Sequence, residues 1–122
     1  AFRHLRSALR RYGQLDDLWG EVRVQRKLVE LLDQMELPAD AVQMCYDRAC
    51  TLGDLGAVRE LRLAVRKLIS LCGLLPTDEH DSWLRRIRDH LAVVDTGVEL
   101  NGTIEILDGE IDTRRIDRVE DR

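Results

Sequence analysis

The sequence predicts a mainly α-helical protein: antiparallel helical hairpins forming a bundle, closed by a short C-terminal β-hairpin or meander. Three observations carry this expectation. Apolar residues recur every three to four positions from Phe2 to about residue 97, the spacing of amphipathic helices. Gly13, Leu37-Pro38, Gly53-Asp54 and the stretch from Gly73 to Pro76 interrupt that spacing, and connections this short fold successive helices back on one another. Beyond residue 97 the punctuation changes to Asn101-Gly102 and Asp108-Gly109 around a β-branched tract, which is the signature of tight hairpin turns. The expected organisation is a helical core over 1–97, a β ribbon over 98–113 and a charged tail over 114–122 that frays.

The first helix runs from Phe2 to Tyr12, with Phe2, Leu5, Leu9 and Tyr12 on one face, and Gly13 is expected to stop it. The second, from about Leu15 to Met35, presents Leu15, Leu18, Trp19, Val22, Val29, Leu32 and Met35 as its buried stripe. It ends at Leu37-Pro38, because proline constrains the residue before it and donates no backbone hydrogen bond. The third, Ala39 to Leu52, turns Val42, Cys45, Tyr46, Ala49 and Leu52 inward. Gly53-Asp54 reads as the next turn, with Asp54 as an N-cap.

A fourth helix, Leu55 to Cys72, aligns Val58, Leu61, Val65, Leu68, Ile69 and Cys72, with Gly73 as a left-handed C-cap and Leu74 folded over the last turn. Pro76-Thr77-Asp78-Glu79 opens a fifth, since a hydroxyl or carboxylate caps free N–H groups and acids suit the positive end of the helix dipole. Its residues Leu84, Ile87, Leu91 and Val94 form a narrow seam that either packs within the chain or meets a sister copy. Val98 and Leu100, the Asn101-Gly102 turn and then Ile104 and Ile106 make the expected hairpin, with Asp108-Gly109 as a second reversal. A lone hairpin is marginal in water, so its apolar side chains are expected to be completed by neighbouring chains. Leu84, Ile87, Leu91, Val94, Val98, Leu100, Ile104 and Ile106 are therefore the candidate oligomer interface.

Composition bounds the chemistry. A chain of 122 residues has room for one real core, and with aromatics at only 4% that core must be filled by Leu, Val and Ile. No apolar run approaches the ~20 residues of a membrane span, so no membrane partner is expected. The opening Ala1-Phe2-Arg3 has neither Met nor a signal pattern, as expected of a piece of a longer protein. Cys45, Cys50 and Cys72 are odd in number and lack metal-ligand spacing, which favours small buried thiols in a reducing compartment.

The net charge of −4 conceals an asymmetry: residues 1–28 hold seven cations and three anions, whereas residues 98–122 hold four and eight. Any nucleic-acid contact should therefore use the amino-terminal region. Arg3, Arg6, Arg10 and Arg11 form a dense basic cluster with no intervening acid, able to meet phosphate oxygens or simply to solvate a helix.

Elsewhere the bland reading prevails. Asp16-Asp17 and Asp78, Glu79 and Asp81 suit helix starts. Asp108, Glu110 and Asp112 suit a solvated strand face and lack calcium-loop spacing. His4, His80 and His90 are dispersed and no HExxH motif is present. No nucleophile elbow, P-loop or GxGxxG motif occurs. The expectation is a protein that is not an enzyme and uses no cofactor and no metal.

The stretch Asp47-Arg48-Ala49 … Gly53-Asp54-Leu55-Gly56-Ala57-Val58-Arg59-Glu60-Leu61, closing on Leu71-Cys72-Gly73-Leu74-Leu75, resembles the small subunit of tailed-phage terminases. In that family a helix ends in a Gly-Asp turn and a second helix finishes on a Leu-Gly-Leu-like cap. Basic helical material, an antiparallel oligomerisation core and a short β element follow in that order. The resemblance covers residues 39–107. The family's helix-turn-helix is not recognisable, so its DNA-reading residues are not carried over. The resemblance implies a ring-forming, non-enzymatic DNA-packaging factor in the bacterial host cytoplasm. It would bind double-stranded viral DNA and regulate a large terminase ATPase/nuclease subunit. The alternative is a helical protein–protein interaction or regulatory module without DNA contact.

Overall fold

A computed structural model of the chain describes residues 2–93 and 103–111. Five helices are laid out in order: α1 (Phe2–Gln14), α2 (Leu18–Gln34), α3 (Pro38–Leu55), α4 (Val58–Cys72) and α5 (Thr77–Val93). A sixth, α6, occupies 103–111. From α1 to α4 each helix packs chiefly on the next, antiparallel because the connections are so short, and α5 lies across α3 and α4.

Three of the turns share one construction. Asp16, Glu36 and Gly56 each adopt a left-handed conformation, with φ of 52°, 58° and 69°. In each case that residue's N–H bonds the carbonyl three back, and the following N–H bonds the carbonyl five back: Asp17 to Tyr12 at 2.9 Å, Leu37 to Leu32 at 3.1 Å, Ala57 to Leu52 at 3.1 Å. This is the Schellman closure, which satisfies the last carbonyls of a helix and reverses the chain. The three turns recur at an even spacing although the residues filling them do not repeat. Glycine takes the left-handed position without strain only at Gly56, whereas Asp16 and Glu36 accept a cost of roughly 1–2 kcal/mol.

These turns correct the expected boundaries. Gly13 does not stop α1, which continues to Gln14. The reversal after α3 is at Gly56-Ala57, not Gly53-Asp54, and Ala57 rather than Asp54 precedes α4 with no side-chain cap. Gly53 is instead a buried helical residue whose missing side chain makes room for α5: a Cβ there would lie 2.9 Å from Leu91 Cδ2. Gly73 is right-handed (φ −60°, ψ −19°) and Leu74 is 65% exposed, so the expected cap and its apolar cover do not form. Pro38, read as the end of α2, sits instead in the first turn of α3, where its missing N–H is harmless, while Asp17, expected at a helix start, caps α2 by accepting from Gly20 N–H at 3.0 Å.

Helix α3 is the centre. Ala41, Val42, Cys45, Ala49 and Leu52 are at most 1% exposed, and the small residues at 41, 45, 49 and 53 let α2, α4 and α5 approach closely. Leu61, Val65 and Leu68 of α4 and Leu84, Ile87 and Leu91 of α5 close over it. Each such leucine contributes about 1.5–3 kcal/mol by leaving water. The stripe of α2 differs from expectation: Val22, Leu28, Val29 and Leu32 are buried, whereas Leu15, Leu18, Trp19 and Met35 at its ends are 38–75% exposed. The helical period was right, but the ends of α2 extend beyond what α1 and α3 cover.

The β ribbon is corrected. No strand occurs among the described residues, and 103–111 is helical. Thr103, Leu107 and Ile111, four residues apart, are buried in the core, and Arg88 Nε donates to Asp108 Oδ1 at 2.6 Å, tying α6 to α5. A tract of β-branched residues yields to a helix when a 3.6-residue period places its apolar members on a ready-made surface, because β propensity depends on context. Asp108-Gly109, read as a reversal, lies inside α6. Val94, Val98, Leu100, the Asn101-Gly102 turn, Asp112 and the 114–122 tail fall outside the described residues.

Candidate functional site

Helix α1 is the most strongly amphipathic element, with four arginines and no acid, and none of its residues is buried. Phe2, Leu5, Ala8, Leu9 and Tyr12 are half-buried against α2, which fixes the rotation of the helix and turns the arginines outward. Arg3, Arg6, Arg10 and Arg11 are all exposed and form no ion pair among the described residues. Arg3, Arg6 and Arg10 share one face, and Arg11 stands about a quarter-turn round. Arg6 lies over the Phe2 ring, 5.6 Å from its centroid, a contact that holds the guanidinium in place while leaving its N–H groups to solvent. Arg10 and Arg11 sit in the last turns of the helix, where the dipole favours positive charge. Beside them, a hollow of about 380 Å³ is lined by His4, Ser7, Ala8, Arg11, Tyr12 and Leu15.

The seat of α1 is specific. Gly20 of α2 lies under the Tyr12 ring so closely that an added Cβ would fall 2.7 Å from Tyr12 Cγ and Cε1. One missing side chain therefore positions the arginine helix.

The candidate interface residues separate. Leu84, Ile87 and Leu91 are 0–1% exposed and covered by this chain's own α3 and α4. The α5 seam thus packs within the chain, one of the two readings its spacing allows. Ile104 is half-buried against the core and Ile106 is 41% exposed. Val94, Val98 and Leu100 lie outside the described residues.

The titratable interior is structural in character. Cys45 donates its S–H to the Ala64 carbonyl at 3.4 Å, and burial pushes its pKa up to about 12, against a smaller opposing effect of Arg48. Burial likewise raises Cys50, partly offset by its hydrogen bond with Tyr46. A thiol held above its ordinary pKa is a poor nucleophile at neutral pH. Burial lowers the Arg48 pKa, and Arg48 Nε donates to the Val22 carbonyl at 3.3 Å, fastening α3 to α2. His80 is buried with Nδ1 3.3 Å from Asp81 Oδ1, and His90 Nε2 lies 3.1 Å from Asp54 Oδ1, joining α5 to α3. Among the described residues no three His, Cys, Asp or Glu side chains converge to hold a metal ion, and no helix is long and apolar enough to cross a membrane.

No protein-family model, curated protein or solved structure matches the chain.

A second basic face emerges only in the structure. Arg59, Arg62 and Arg66 of α4 are exposed, share one side of the helix and form no ion pair among the described residues. They and Val58 frame a hollow of about 570 Å³ that ends at Leu63, itself 60% exposed. On its other side Leu63 borders a hollow of about 380 Å³ between α2 and α4, floored by the nearly covered Val29, Cys45 and Ala64 and rimmed by the charged Arg26, Glu30, Arg48, Glu60 and Lys67. Lys67 Nζ bridges to Asp33 Oδ2 at 2.9 Å across the groove between α4 and α2. The sequence did carry a signal for this face: positions 59, 62 and 66 follow the i, i+3, i+7 rule of a single helical stripe. Glu60 and the apolar residues between them break up the linear cluster.

Proposed function

We propose that this chain is a non-enzymatic helical binding module that holds double-stranded DNA by its phosphate backbone through α1, as a DNA-packaging factor of the small-terminase kind. The observation that supports the reading is the exposed arginine set on α1: Arg3, Arg6, Arg10 and Arg11, with no acid on the helix and no ion pair among the described residues. Guanidinium groups so presented contact phosphate without reading bases. Four such contacts per chain are weak alone and gain strength when copies of the chain bind one duplex together. The resemblance over residues 39–107 supplies the packaging role and the large terminase subunit as partner. The Gly-Asp turn and the β element that entered that resemblance are helical at residues 53–54 and 103–111. Assembly would therefore use other surfaces, among which Leu15 and Trp19, 75% and 52% exposed, stand beside the arginine helix.

The test is a titration of labelled duplex DNA by fluorescence anisotropy at two salt concentrations, with native mass measured by light scattering. Binding that falls steeply with salt is expected. Changing Arg3, Arg6, Arg10 and Arg11 together to Ala should weaken it by about tenfold or more and flatten the salt slope. Unchanged DNA affinity in that variant would overturn the α1 reading, and a monomeric mass in the presence of DNA would remove the assembly. A second reading, an interaction module without DNA contact, is favoured by Leu63, an exposed apolar side chain where two hollows meet.

A further inference from the structure

The surface around Leu63 combines features that a phosphate backbone does not use. Three guanidinium groups without partners among the described residues, spread over about 10 Å of helix α4, form one flank. Planar guanidinium forks pair with carboxylates in bidentate fashion as readily as with phosphate. Leu63, however, stands 60% exposed in the middle, and beyond it the hollow between α2 and α4 is floored by Val29 and Ala64, themselves nearly covered, so that Leu63 is the open apolar side chain at its edge. A sugar–phosphate chain places nothing apolar there, whereas a peptide does. The three cations of that second hollow are already engaged, Arg26 with Glu30 at 3.6 Å, Lys67 with Asp33 at 2.9 Å and Arg48 through Nε with the Val22 carbonyl at 3.3 Å. Charge-seeking capacity therefore lies on one side of Leu63 and apolar capacity on the other. The two hollows, about 570 and 380 Å³, lie one on each side of Leu63 and have the size of ordinary ligand pockets.

We infer that the α4 face binds an acidic peptide segment of another protein. Its Asp or Glu side chains pair with Arg59, Arg62 and Arg66, and an adjacent Leu, Ile or Phe covers Leu63 and enters the hollow between α2 and α4. The site lies on different helices from the α1 arginines and stands whether or not α1 binds DNA.

A random-peptide display library selected on the intact chain tests this, followed by fluorescence anisotropy with the enriched sequences as synthetic peptides. Enrichment of peptides that join acidic residues to a large apolar one is expected. Changing Arg59, Arg62 and Arg66 together to Ala should weaken them by about tenfold or more and reduce the salt dependence. Leu63→Ser should weaken them by about threefold or more with the salt dependence kept, since only the apolar contact is removed. The α1 quadruple Ala variant should bind them normally, which separates this site from the DNA reading. All altered residues are exposed, and circular dichroism checks that each variant folds. The inference is overturned if no acidic–apolar class is enriched, if a peptide of acidic residues alone binds equally well, if the α4 variants bind unchanged, or if duplex DNA displaces the peptide.

Discussion

Helices α1 and α4 each carry four exposed cations and a regular apolar stripe, yet they are held very differently. No residue of α1 is buried, whereas α4 buries Leu61, Ala64, Val65, Leu68, Leu71 and Cys72. The reason is position in the array. Helix α1 ends it and leans chiefly on α2, while α4 is enclosed by α3 and α5. Periodicity in a sequence gives the direction of an apolar face, and the number of neighbouring elements decides how deeply that face is covered. The same distinction separates the two basic faces: the arginines of α1 stand on a helix without a buried residue, while those of α4 stand on a helix built into the core.

The largest expected effect contrasts the two stripes directly. Leu61→Ala or Leu68→Ala, at positions with no exposed surface, should each cost on the order of 2–5 kcal/mol because a cavity is left as well as transfer energy lost. Leu5→Ala or Leu9→Ala on the half-covered face of α1 should cost about 1 kcal/mol or less. Urea midpoints at constant m-value measure both. Equal losses in the two helices would break the contrast.

A smaller and more local effect is expected from Gly20→Ala. The new methyl must displace the Tyr12 ring, so α1 tilts or detaches at a cost of about 1–3 kcal/mol. Amide hydrogen exchange should accelerate along α1 and remain slow along α4, as it does when an end element opens separately from the core. Equal acceleration in both helices would mean that the array opens as one unit.

Much of this contrast was legible from residue spacing and some was not. The apolar face of α1, the inward residues of α3 and the stripe of α4 follow from a 3.6-residue period, and Asp17 marks a helix start for a local chemical reason, whereas Pro38, read as a stop, opens α3. Glycine misled where its role was tertiary. Gly53 makes room for Leu91 and so looks like a turn, while the real turns at residues 16 and 36 use Asp and Glu at strained angles that composition does not flag. The 103–111 tract misled for a related reason: Thr103, Leu107 and Ile111 satisfy a helical period, but the dipeptide Asp108-Gly109 satisfies a turn rule equally well, and only the waiting surface beside α5 decides between them. Of the candidate sites, the α1 arginines stood out because they are nearly contiguous. The α4 face did not, because its three arginines come together only once the backbone is coiled.

The smallest expected effect sharpens the comparison through a buried charge. Asp47 on α3 is half-buried, and burial raises its carboxyl pKa, with the amide of Gln43, donating at 3.1 Å, pulling the other way. A carboxyl whose folded pKa exceeds its unfolded value binds more protons in the native state across that interval. Its contribution to stability therefore declines as pH rises through the carboxylate range and stays low at neutral pH. Asp47→Asn removes the titration, so the variant should gain on the native protein between acid and neutral pH, by no more than about 0.5 kcal/mol given the group's partial exposure. Paired urea midpoints at the two pH values read the difference. A gap between variant and native protein that does not change with pH would mean that Asp47 is as well solvated as the arginines of α1, and that the inner helices impose no charge cost the outer one escapes.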